Sequence, residues 1–396
     1  HLRSSSLASS LAGTAASAII DTRITDDVAT AADDGVTQSL ENQPVTIDVL
    51  GNDVQGADSV QPSAVEFIAG SLTGTGTLVY NDDGSFTYTP AAQETGEVSF
   101  QYRITDGDGD MSVATATITL IADSAPQFRN PADVVVDEDG LSGANADNGL
   151  AGEVASTGSP SANGSISIDF GSDVPATLGG SLVLNDSAAL DTQLTVNGVA
   201  VTFAKVGDDL VGSVAGNEVI RVAVTTATAG PGATEVTYGY TVTLSQAIDQ
   251  AVAGGENTDI LSGIGFTVTD NDGTAASGAF GVTIVDDLPT LNVSDAPTSV
   301  AEGATANGTW TLDAGADGVA SVNVSFGGDE ATLSLTPGSS VSITQSTGTL
   351  TVHADATFSF AAANNQNNAG NPSASFTLSA VDRDGGPTSE SLTIAV

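Results

Sequence analysis

The most regular feature of the chain is alternation of apolar and polar residues over runs of five to ten positions, the period of a strand with one buried face. It is clear in FQYRITD (100–106), VATATITL (113–120) and GTLVY (76–80), and Gly-, Asp- and Asn-rich stretches separate the runs. One ending occurs three times, at residues 100–122, 265–285 and 376–396. Each copy has an alternating strand, an Asp-x-Asp loop and a second alternating strand, which predicts a β-hairpin with an acidic tip. Upstream, GTLVYNDDGSFTYTPAA (76–92) lines up with GTLTVHADATFSFAAAN (348–364), and TYGYTVTLSQA (237–247) takes the equivalent place in the middle copy.

Three related units follow, at residues 27–122, 123–287 and 288–396, with residues 1–26 as a tail or the remnant of a preceding repeat. At the seams, ADSAPQF and DDLPTLNVSDAP place Asp shortly before a Pro that discourages further pairing. The outer units are close to the ~100 residues of a small immunoglobulin-like sandwich. The middle one is longer, and LTVNGVAVTFAKVGDDLVGSVAGNEVIRVAVTT (194–226) alternates around NG, GDD and GN turns as an added meander. Helix is nearly absent; SQAIDQAVAGG (245–255) offers a turn or two and SSSLASSLAGTAASAII a second candidate. The start at His1 and the strand-like ending SLTIAV suggest an excised fragment.

Composition narrows the function. The 396 residues carry 49 acidic and 7 basic side chains, a formal net charge of −42. So negative a surface repels a phosphate backbone and anionic lipid, which argues against nucleic-acid partners and membrane docking. Apolar residues at 40% are enough for packed cores. No apolar run approaches the roughly 18 residues of a membrane-spanning helix. There is no cysteine, so neither disulfides nor thiolate sites hold the fold. The acids are 37 Asp and only 12 Glu, and Asp favours turns and oxygen-ligand cation sites.

At the first seam the hairpin tip supplies Asp106, Asp108 and Asp110, the linker Asp123, and the next opening Asp137, Glu138 and Asp139. The second seam repeats this with Asp270 and Asp272, then Asp286 and Asp287, then Glu302. Hairpin tips and linkers lie at the ends of a sandwich, so these carboxylates are expected to converge between neighbours. There a hard cation relieves their repulsion, and Ca²⁺, with 6–8 flexible oxygen ligands, suits them better than Mg²⁺. Asp26, Asp27 and Glu41 at the first opening, and Asp382 and Asp384 at the last tip, are expected half-sites. A lone tip such as Asn81-Asp82-Asp83-Gly84 is ordinary turn chemistry. The spacing is not an EF-hand, since Met111 follows Asp110 and Thr117 occupies position twelve.

These motifs resemble the repeats of giant calcium-dependent adhesins of Gram-negative bacteria exported by type I secretion, the RTX adhesin family. Ile47–Val60, with Asp48, Asn52 and Asp53, is similar to their cadherin-like or immunoglobulin-like modules. The stretch from Val136-Asp137-Glu138-Asp139-Gly140 to Thr269-Asp270-Asn271-Asp272-Gly273 resembles their long tandem repeat. The resemblance covers about 27–396. It implies an all-β chain of tandem immunoglobulin-like/cadherin-like β-sandwich domains arranged end to end. It further implies Ca²⁺ at the junctions, an extracellular place on the bacterial cell surface, and a role in surface attachment and biofilm formation.

The leading functional expectation is mechanical: calcium ions and contacts between adjacent repeats stiffen a monomeric rod that projects a distal binding module. Without cations, the charge should splay the linkers. The alternative is a carbohydrate- or protein-binding module presented by the middle meander. Against it, Phe86, Tyr88, Phe100, Tyr102, Tyr238, Tyr240, Phe358 and Phe360 fall at i, i+2 spacing, as core-facing strand residues do. An enzyme is not expected: His353 has no nameable partner, no Gly-x-Ser-x-Gly or P-loop occurs, and a unique active site should not recur in every unit.

Overall fold

The computed structural model describes residues 25–129, 131–144, 158–250, 257–364, 366, 370–383 and 385–396. The expected N-terminal helix and Asp384 lie outside these residues. The described chain is almost wholly β, and its helical element is the single turn Glu138–Gly140. Residues 245–250 carry no helix, because the segment is held by side chains instead: Ile248 N–H donates to Glu138 and Gln246 to the Glu218 carbonyl. No helix among the described residues is long and apolar enough to cross a membrane.

The chain forms two compact units. The first comprises residues up to Ala125 with two short loops, Phe170–Pro175 and Asp270–Thr274. Its two sheets run, in hydrogen-bonded order, Asp34–Thr37, Met111–Leu120, Gly96–Asp106, Val60–Phe67, and Val45–Asp48, Ser85–Thr89, Thr77–Tyr80. Their inward residues make one core, in which Ile47, Phe86 and Tyr88 of one sheet meet Phe100, Tyr102 and Ile118 of the other. The Phe86 and Phe100 rings stand 4.9 Å apart.

The second unit contains two further pairs of sheets. In the first pair, a six-stranded sheet runs Thr202–Val206, Asp209–Val214, Asn217–Ala229, Glu235–Leu244, Ser161–Asp169, Gln127–Phe128. It faces Leu182–Leu184, Thr258–Thr269, Ala275–Val285, Val134–Asp137, and the ring pairs Tyr240–Phe280 (4.4 Å) and Phe128–Phe266 (5.3 Å) join the two. The predicted meander begins as a separate two-stranded hairpin, Thr195–Val196 with Val199–Ala200, and continues as the edge of the six-stranded sheet from Thr202 on. Asn197-Gly198 and Ala215-Gly216 have positive φ at both positions, as tight two-residue hairpins require. The second pair is Thr290–Ser294, Thr305–Asp313, Thr357–Ala362, Gly348–His353, Ser340–Gln345 against Asp329–Leu333, Val319–Phe326, Ser373–Asp382, Pro387–Ala395. Trp310, Phe358 and Phe360 pack there on Val322, Phe376 and Leu378. Every aromatic of the i, i+2 set is at most 2% exposed, so these rings build cores.

Many outward strand positions carry hydroxyl residues. Cross-strand pairs such as Ser375–Thr393 (2.7 Å), Thr377–Ser391 (2.8 Å) and Ser342–Thr351 (2.9 Å) satisfy one another on the solvated faces.

In each closing hairpin the second strand carries the chain out of its sandwich, so the tip lies at the opposite end from the linker that follows. The opening strand runs parallel to that last strand, with Thr37 opposite Thr119 and Asp137 opposite Val285. The residues after the opening strand therefore emerge beside the outgoing linker. This parity decides which acids meet.

Candidate metal centres

Three of the first-acid positions share a local task. Asp106, Asp270 and Asp382 each turn Oδ1 back onto two amides of their own tip: Gly109 and Asp110 (3.1 and 2.8 Å), Gly273 and Thr274 (3.0 and 2.7 Å), Gly385 and Gly386 (2.7 and 2.5 Å). Closing the loop in this way is Asx-type turn chemistry and leaves the second oxygen for other work. In Asp106 that oxygen accepts from Ala29 N–H at 3.2 Å. In Asp270 it is buried with no hydrogen-bond partner.

In the first unit Glu41, Asp123 and Asp272 each bring an oxygen within 4.8 Å of the others, and Asp173, Asp270 and Asp272 do likewise. Asp272 is common to both groups. Glu41, Asp173 and Asp270 are each at most 6% exposed. Glu41 accepts from Ser124 N–H (2.8 Å) and the hydroxyls of Ser124 (2.6 Å) and Ser172 (2.8 Å). Burial alone would raise its carboxyl, but these donors hold it below the usual range. Asp270 goes the other way, pushed up to about 7 by burial and by the neighbouring Asp272. Asp123 is also raised, first by burial, and its Oδ1 is buried with no hydrogen-bond partner. Among the described residues no Lys or Arg pairs with this group.

In the second unit the corresponding group is Glu138, Asp286 and Asp317, again with one oxygen each within 4.8 Å. Asp137, Glu138, Asp286, Asp287 and Asp382 are all at most 1% exposed. Asp137 caps the Glu138–Gly140 turn by accepting from Asp139 N–H. Asp287 accepts from Ala316 N–H at 2.5 Å. Glu138 Oε1 accepts from Ile248 N–H (2.9 Å) and Gln250 (2.8 Å), while its Oε2 is buried with no hydrogen-bond partner. Burial first, and then Asp317, push the Glu138 carboxyl well above the usual range. A third group, Asp26, Asp108 and Asp110, lies at the tip of the first hairpin, with Asp26 and Asp108 exposed.

The groupings differ from those expected. The tip acids Asp106, Asp108 and Asp110 were expected beside Asp123, Asp137, Glu138 and Asp139, but Asp108 and Asp110 sit with Asp26, and Asp106 is hydrogen-bonded to its own tip and to Ala29. Asp123 instead meets Glu41 and, on the next hairpin tip, Asp272, and Glu138 meets Asp286. Parity is the cause, since a tip faces the preceding linker. Asp26 and Glu41, expected together, fall at opposite ends of the Gly96–Asp106/Met111–Leu120 hairpin for the same reason. Asp27 accepts from Ala57 N–H, Asp139 is half-buried outside the three-acid groups, and Glu302 is exposed and joins none of them. Two participants were not expected. Asp173 and Asp317 stand four residues beyond the strands ending at Asp169 and Asp313, and that shared offset was a readable signal.

All donors are hard oxygens, and in both buried groups at least one oxygen has neither solvent nor a hydrogen bond. Such a set fits Ca²⁺ and does not fit a soft or imidazole-seeking metal.

No curated protein sequence matches the chain significantly. Among solved structures, protocadherin gamma B7 extracellular cadherin domains 1–4 align at 12% identity over 94% of this chain and 76% of theirs, with a TM-score of 0.29. The human desmocollin-1 ectodomain aligns at 13% over 93% and 61%, TM-score 0.29. Drosophila N-cadherin EC1–4 aligns at 12% over 94% and 76%, TM-score 0.23. At these scores the superpositions place no residue of this chain, and the fold rests on its own sheets. The family comparison is more specific: residues 26–119, which make up the first sandwich, match the bacterial Ig domain family.

Proposed function

We propose that the chain is a calcium-stiffened extender segment of a large bacterial surface adhesin of the RTX type, exported by type I secretion and serving attachment and biofilm formation. In this reading it is extracellular and non-enzymatic, works as a monomer, and is built as three sandwiches, 27–122, 123–287 and 288–396. The observation that carries it is the buried acid group around Glu138, Asp286 and Asp317, where the middle and third sandwiches of the second unit are joined by the linker Asp286-Asp287. Burying several carboxylates beside an oxygen that lacks any donor is costly unless a cation neutralises them. Calcium would be held there by Glu138, Asp286 and Asp317, with Asp137, Asp287 and Asp382 alongside. Glu41, Asp123, Asp173, Asp270 and Asp272 would hold it in the first unit, and Asp26, Asp108 and Asp110 more weakly at an exposed position. The bacterial Ig match at 26–119 agrees with the bacterial setting.

The test is small-angle scattering of the chain in millimolar Ca²⁺ and after chelation, beside Asp286→Ala/Asp287→Ala. The wild type should widen its range of sizes on chelation, and the variant should resemble the chelated protein even with calcium present. Identical profiles for the wild type in both conditions would refute the stiffening role.

A further inference from the structure

A second acidic pair lies away from the metal candidates, on the opening segment of the first sandwich. This segment reaches the strand Asp34–Thr37 with little regular pairing. Thr30 bridges Val54, Ala31 N–H donates to Ser112 Oγ (2.9 Å), and Asp33 Oδ1 accepts from Thr115 N–H (2.8 Å). Ala32 is clamped from both sides: its N–H donates to Asp53 Oδ1 at 2.7 Å, and its carbonyl accepts from the Tyr102 hydroxyl at 2.9 Å. Tyr102 is fully buried and has one proton to give. It is also 3.2 Å from Asp53 Oδ1 and within reach of Asp34. One donor therefore faces three acceptors, while Asp34 Oδ2 and Asp53 Oδ2 are both buried with no hydrogen-bond partner.

We infer that Asp34 and Asp53 form a proton-operated latch: one shared proton fastens the segment 29–37 to the sandwich, and its loss releases the segment. With both acids ionised, half-buried Asp34 on the segment and half-buried Asp53 on the facing turn repel, and their Oδ2 atoms are shielded from water. A proton on either supplies the missing donor. The titratable groups acting on Asp34 are Asp33 on its own segment, Asp48 at the end of the strand Val45–Asp48, Asp53 on the turn after it, and Tyr102 on the central strand. All three acids oppose its ionisation. Burial foremost, and then these charges, push Asp34 up to about 6, and burial raises Asp53 as well. A folded value above the ordinary 3.8 means that the stabilisation is complete below 3.8 and is lost as pH rises through about 6.

Hydrogen exchange of the full chain, corrected for the intrinsic pH dependence, tests this in metal-free buffer at pH 5 and pH 7.5. Protection over 29–37 should fall about tenfold between the two, allowing for partial solvent screening, while 348–362 stays level. Asp34→Asn should be protected at pH 7.5 as the wild type is at pH 5. Asp53→Asn, which keeps Oδ1 for Ala32, should behave alike and covers a folding failure of the first variant. An equal pH dependence in wild type and variants would overturn the latch. So would calcium restoring protection at pH 7.5 in the wild type but not in Asp34→Asn, because the pair would then be holding a cation. Neither result bears on the acid groups at the sandwich ends.

Discussion

Removing calcium is expected to lower the melting temperature of each unit of this chain by about 5–11 °C. A ligand that binds only the folded state, at a free concentration 100-fold above its Kd, stabilises by about 2.7 kcal/mol. Each unit has its own buried group and would gain about 2.7 kcal/mol from it. At about 2–4 °C per kcal/mol for units of this size, the shift falls in the stated range. Differential scanning calorimetry in 2 mM CaCl₂ and in EDTA reads it directly. Two controls separate coordination from charge screening. Raising NaCl to 0.5 M shortens the Debye length and relieves exposed pairs such as Asp26 and Asp108, but it reaches buried carboxylates far less. It should therefore recover only a small part of the loss. Mg²⁺ at the same concentration should also recover less than Ca²⁺, because it is reluctant to shed its water. Full recovery by NaCl would mean that the acids are solvated turns, and the extender reading would fall with the metal.

Much of the architecture was legible because alternation is a local signal. The closing hairpins, the NG turn of the meander and the buried aromatic rows follow from period two and turn chemistry alone. The grouping of the acids was less legible, since it depends on which end of a sandwich each loop occupies. Adjacency in sequence suggested that Asp106 to Asp110 meet Asp123, yet a ten-residue strand separates them and carries the chain to the far end. Counting strand directions would have paired Asp123 with the next tip. The buried oxygens of Asp123, Asp270 and Glu138 were beyond sequence reasoning altogether, because burial of one carboxylate oxygen is a property of tertiary packing. Repetition also overstated uniformity: Asp106, Asp270 and Asp382 close their own loops alike, but the surroundings of their second oxygens differ.

Glu138→Gln should shift stability in opposite directions with and without calcium. The side chain is fully buried, and Oε1 accepts from Ile248 and Gln250 while Oε2 has no hydrogen-bond partner. Gln keeps an oxygen for those two donors and the same shape, so what it removes is the charge. In metal-free buffer that charge is a liability, raised by burial and by Asp317, and its loss should raise the melting temperature of the second unit by several degrees. The sign follows from linkage. A folded pKa above the ordinary 4.5 stabilises fully only below 4.5 and is lost as pH rises, so the metal-free wild type should gain stability on acidification more than the variant does. With calcium present the same charge is a ligand. Weakening the site roughly 100-fold would cost about 2.7 kcal/mol, enough to bring the variant's melting temperature below that of the wild type. Calorimetry of both proteins in both buffers gives four transitions, and the two pairs should cross. A structural carboxyl that is simply protonated and buried predicts no crossing, because Gln would then be neutral or favourable in both buffers. Parallel shifts would thus remove Glu138 from the metal centre, and crossed ones would tie calcium to the junction between the middle and third sandwiches.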